Sequence, residues 1–193
     1  MGFDIHLYKE KRVDGKWVTA DQWVSYDYGD DDKGMEVPWK QRFTDRNYEL
    51  FGLLSKGVRS EFPFSFEPRG VPFNACAEYV SEVDRIGVGG HGHSYLYLHE
   101  LKDMQAFLQT ATIKLGGMKN RQELAAFRAS IASDSPDWNL IYPYCAWASS
   151  GDYEEFEVDA PASFAIGGGL ERIIASFDGI DGDNHRIVFY FDN

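Results

Sequence analysis

Cysteine is nearly absent from this 193-residue chain: Cys76 and Cys145 stand alone, with no CxxC spacing or Cys/His grouping. That excludes a disulfide framework and a cysteine-bound structural zinc. Basic charge is also short, 19 Lys+Arg against 31 Asp+Glu for a formal net charge of −12. A chain of this sign lacks the electrostatic footprint of a nucleic-acid binder, so no direct nucleic-acid contact is expected. Long apolar runs are missing too. The opening MGFDIHLYKEKR brings a charge within four residues, so neither a membrane span nor a signal peptide is expected. Lone thiols without a targeting segment point to a reducing cytoplasm. What is plentiful is core material, 44% apolar and 16% aromatic residues, enough at this length for one domain spanning 1–193.

Most of the acidic excess lies in residues 134–193, which hold 12 acidic and 2 basic side chains. Such a face is usually just solvated, but it can also imitate nucleic acid for a basic partner.

Periodicity predicts an α+β fold in which the N- and C-terminal strands share a central mixed or antiparallel sheet with several packed helices. Gly2 to Tyr8 alternates as a strand, and Asp14-Gly15 supplies a hairpin turn after it. Residues 27–40, rich in Asp, Gly and Pro, read as a surface loop whose end Trp39 pins. Thr44 or Asp45 caps a helix running to Val58. The proline- and phenylalanine-rich stretch 61–73 reads as an ordered, packed loop. Asn74 caps a helix ending at Gly87, and residues 88–94 form a glycine-rich loop before a short strand and a helix from His99. Asn120 and Glu123 form a capping box for a helix to 132. Strands are expected within Trp138 to Val158, on either side of residues 149–152, a short helix after glycines 167–169, and a buried strand over Arg186 to Phe191. Deleting the last eight residues is expected to expose an apolar edge.

Three chemistries fit the polar residues. Gly89, Gly90, His91, Gly92, His93 and Ser94 offer backbone NH groups for an anion nest. Arg59 and Arg69 would grip a phosphate there while Tyr95 stacks on a base, so a small phosphate-bearing molecule or nucleotide is the first expected ligand. No cofactor is expected under this reading. Alternatively Asp4 and His6, on one face of the first strand, join His91 and His93 around a divalent metal that activates water for phosphoester hydrolysis. The third reading is the acidic decoy for a basic protein. Cys76, near a helix N-terminus, is either a thiol of lowered pKa or a core residue.

The segments GFDIHLY, RNYELFGLLSKGVR, EPRGVP, GHGHSYLYLHEL and RIVFYFDN together resemble an uncharacterised family common in bacteriophages and prophages, which carries a DIH strand, an NYxLF helix, an RGxP turn, an HxHS loop and a C-terminal FDN. Here Gly92 stands between the histidines where that family often has serine, and Tyr95 where it has tryptophan. The resemblance covers the first 110 residues and the last eight, not 110–180. It implies a phage accessory protein in the cytoplasm of an infected bacterium, with anti-defence activity such as sequestering a host nucleotide immune signal or binding a basic host defence protein. It implies no reaction.

Overall fold

Asp14 and Gly15 both take positive φ, 49° and 79°, the geometry that a two-residue hairpin turn demands. They join strand β1 (Asp4–Val13) to β2 (Lys16–Thr19), as the sequence predicts. The computed structural model describes residues 4–29, 33–58, 60, 62–133, 136–141, 151–177 and 182–192. Contacts gather the chain into two compact units, 1–107 with 166–193, and 108–165.

In the first unit, β3 (Val24–Asp27) and β4 (Lys33–Glu36) form an antiparallel ribbon. This corrects the reading of 27–40 as plain loop: the Asp/Gly signal marks only the connection between two short strands. A single 3-10 turn, Trp39–Gln41, precedes α1 (Tyr48–Leu54). Its cap is Asn47, whose side chain accepts from the NH groups of Glu49 and Leu50, rather than Thr44 or Asp45. The helix also stops short of Val58, at a Ser55 cap. Residues 62–73 carry no regular element, and Phe66 bonds through its backbone to Leu53 and Lys56. Phe73, however, is fully exposed instead of packed.

Helix α2 (Ala77–Ile86) starts two residues later than expected because the Asn74 side-chain oxygen accepts from Arg186 and does not serve as its cap. Gly87, at φ 53°, stops the helix as predicted. Then come β5 (His91–Tyr97) and α3 (Leu98–Leu108). The expected loop 88–94 is thus half strand. Gly92, at φ 61°, lies in a register irregularity between His91 and Ser94, so the glycine marks a bulge rather than a loop.

The second unit comprises β6 (Thr112–Asn120), α4 (Arg121–Ile131) and β7 (Tyr153–Pro161), with β6 and β7 paired antiparallel. Leu124 and Phe127 of α4 pack with Leu115 and Phe156 in a small core. Asn120 caps α4 through Gln122 NH, while the expected box partner Glu123 pairs with buried Lys119 at 3.2 Å. Trp138–Leu140 is a 3-10 turn, and residues 142–150, where strand was expected, lie outside the described residues. Helix α5 (Ala162–Ile166) follows β7, and α6 (Gly169–Ala175), back in the first unit, begins on the last of the three glycines.

The last strand, β8 (His185–Asp192), returns to the first unit and lies between β1 and β5, giving an antiparallel sheet of order β2-β1-β8-β5. The chain is therefore α+β with both terminal strands in one sheet. Because β8 is internal, losing it splits the sheet; it does not merely bare an edge. Register sets its two faces. Ile5, Leu7, Phe189 and Phe191 project to one side, where Phe51 of α1 meets Phe191 at 5.2 Å between ring centroids. His6, Tyr8, Glu10, Arg186, Val188 and Tyr190 project to the other, where α2 packs through Tyr79 and Cys76. This second face combines burial with polarity, and it positions the site.

Candidate functional site

A buried ion pair anchors one end of the polar face. Arg186 and Glu10, cross-strand neighbours 1% and 0% exposed, join through Nε and Oε2 at 2.5 Å. The other Glu10 oxygen accepts Cys76 NH at 2.6 Å, and the guanidinium lies 4.0 Å from the Trp17 ring centroid. Every strong polar atom of this pair has a partner, which makes it a structural pin. Burial pushes the Cys76 thiol far up, so it is a core residue and not an activated nucleophile.

Midway along the face, Tyr8 and Tyr190 donate to Glu82 Oε1 at 3.0 and 2.7 Å, and Arg85 reaches both Glu82 oxygens at 2.8 Å. Burial alone would raise the Glu82 pKa, but the hydrogen bonds from Arg85 and Tyr190 outweigh it and hold the carboxyl below the usual range. The Tyr190 ring is stacked by His6 from β1, centroids 4.6 Å and planes 5° apart, and met by His93 from β5 at 5.4 Å.

The far end opens into a cavity of about 450 Å³, inside the range of small-ligand sites. Strand β1 supplies Asp4 and His6, and β8 supplies Asp192. The segment leading into α1 supplies Trp39, Arg42, Phe43, Thr44, Asp45 and Arg46. Trp39 is 70% exposed, a large indole face presented to solvent. His6 Nε2 is 3.1 Å from Asp192 Oδ2, near enough for charge interaction but off the hydrogen-bond line. Arg46 grips Asp4 with two bonds, 2.7 and 2.9 Å, which hold the Asp4 carboxyl below the usual range.

The sequence-predicted residues divide. Asp4 and His6 line the cavity, whereas His91 and His93 do not. The two loop histidines diverge: the His91 ring stacks by Phe191 at 6.2 Å and His93 by Tyr190, and consecutive β8 residues face opposite ways. Among the described residues no group of three or more His, Cys, Asp or Glu side chains stands ready for a metal ion. Nor is the glycine segment an open nest. Gly87–Gly89 is a 3-10 turn, Gly90 NH bonds Gly87 O, and His91 onward is strand. Ser94 is buried and accepts Arg69 NH at 3.1 Å, while Gly70 NH bonds His93 O. The Arg69 guanidinium is forked onto Glu100 at 2.8 and 2.5 Å and lies 5.4 Å from the Tyr95 centroid. Glu100 also accepts Tyr97 NH at the start of α3, so a carboxylate already fills the place assigned to phosphate. Arg59 lies outside the described residues.

Sequence reading missed the arginines and aromatics of the cavity. Their signal was available in WKQRFTDR, residues 39–46, where cations interleave with aromatic rings just before a helix cap. No helix among the described residues is long and apolar enough to cross a membrane. No protein-family model matches this chain, and no curated protein or solved structure shows significant similarity to it.

Proposed function

We propose that this chain is a binding protein for a small phosphate-bearing ligand, taken in the cavity between β1, β8 and the segment before α1. The observation that carries the reading is one cavity of about 450 Å³ lined by an exposed indole together with guanidinium, imidazole and hydroxyl groups. A nucleotide joins a planar ring to an anion, and this lining offers a partner to each part: Trp39 for stacking, Arg46 and His6 for phosphate, Thr44 for ribose hydroxyls. The phage-family resemblance gives the setting, an accessory protein that sequesters a host nucleotide signal in the infected cell. Sequestration requires no chemistry, only a bound ligand kept from its receptor.

Calorimetry against adenosine monophosphate, cyclic dinucleotides and ADP-ribose-type ligands tests this, with chromatography of the recovered ligand. Binding is expected to raise the melting temperature by mass action and to return the ligand intact. Trp39→Ala removes a stack worth about 1–3 kcal/mol and is expected to weaken binding at least fivefold. Failure of the whole panel, together with tight capture of a basic protein, would replace this reading with the acidic decoy.

A further inference from the structure

The cavity's two arginines are held in different ways. Arg42 is locked from two sides, its Nε on Val37 O at 2.6 Å and its Nη2 on Glu36 Oε2 at 2.5 Å. Val37 belongs to the packed cluster under the polar face, and pulling Arg42 away would strand a carbonyl there. Arg46 has no such anchorage in its contact with Asp4. Both side chains are open to solvent, 64% and 52% exposed, and exposed ion pairs are weak and readily exchanged. Yet the contact has the form that a phosphate would use, two parallel N–H···O bonds onto one guanidinium fork. Asp4 is moreover the cross-strand neighbour of Asp192, which also lines the cavity. Like charges placed opposite one another on paired strands repel, so this carboxylate is poorly placed without a cation.

Building on the reading of the cavity as a phosphate-ligand site, we infer that Asp4 is an internal stand-in for the ligand's phosphate. Its carboxylate occupies the Arg46 fork in the free protein, and the incoming phosphate takes over that fork as Asp4 turns to solvent. Arg46 is then the exchangeable contact that selects a phosphorylated ligand, while Arg42 shapes the wall. The stand-in keeps the site closed to weak anions that cannot also stack on Trp39.

The test compares adenosine monophosphate with adenosine by calorimetry on the wild type, Asp4→Asn, Arg46→Ala and the double variant, with each melting temperature recorded. Asp4→Asn is expected to tighten adenosine monophosphate about fivefold and to leave adenosine within twofold. Arg46→Ala is expected to weaken the monophosphate and to abolish the gain from Asp4→Asn, since the cycle isolates the pair. A gain that persists without Arg46 would reduce Asp4 to a general negative charge and overturn the inference. Unchanged monophosphate affinity in Asp4→Asn, with adenosine still binding, overturns the stand-in and leaves the cavity reading in place. Absence of binding by both ligands overturns both.

Discussion

Glu82 illustrates what a carboxylate needs to stay charged beneath a helix: two phenols and a forked guanidinium surround it. Tyr190 contributes twice, its hydroxyl to Glu82 and its ring as the shelf against which His6 and His93 rest. Removing that hydroxyl with Tyr190→Phe is expected to cost about 2 kcal/mol, the scale of a hydrogen bond to a charged group, read from urea denaturation. The same cluster sets the pH response. Burial lowers the His93 pKa, against an opposing hydrogen bond that the ring donates to the Gly90 carbonyl, so the unfolded chain takes up a proton that the folded one refuses. Stability is then expected to decline as pH falls below 6.5, the ordinary histidine value, and His93→Phe should remove this decline while keeping a ring against Tyr190. Glu82 acts lower. With its folded pKa depressed, its contribution is complete above the ordinary value of 4.5 and is lost as pH falls through the folded value. A stability profile flat from pH 8 to 5 would contradict the assignment to His93.

Elements set by local chemistry were legible in the sequence. The β1–β2 turn follows from Asp14-Gly15, and α4 from its Asn120 cap and the spacing of Leu124 and Phe127. Gly15 has open space around the position of a Cβ, so the penalty for Gly15→Ala is one of backbone conformation alone. It is expected to cost about 1–2 kcal/mol without altering the fold, measured by thermal and urea melts. Elements set by distant partners were not legible. Asn74 has the chemistry of a helix cap, but Arg186, more than a hundred residues away, claims its oxygen. Gly92 reads as loop until β8 pairs beside it and leaves it as a bulge. The site divides on the same line. Asp4 and His6 were singled out because period-two alternation puts them on one face, whereas Asp192 and Arg46 reach them only through the register of β1 with β8 and the path before α1.

At the scale of the whole molecule, the sheet depends on a strand supplied by the end of the chain, with β8 hydrogen-bonded on both sides. The site at its rim must therefore work within the field of a chain of net charge −12. Within the cavity itself, Asp4, Asp45 and Asp192 face Arg42, Arg46 and His6, so the lining adds no strong positive potential of its own. An anionic nucleotide approaches against the long-range field and gains attraction only on reaching the Arg46 fork. Salt screens the first effect over about 8–10 Å at physiological strength but acts less on a formed contact in a cavity. The association rate of adenosine monophosphate, followed by stopped-flow quenching of tryptophan fluorescence, is thus expected to rise about twofold between 20 and 150 mM salt. Electrostatically steered ligands show the reverse. A rate that falls with salt would mean that the ligand meets a positive surface first, and would move the site away from this acidic rim.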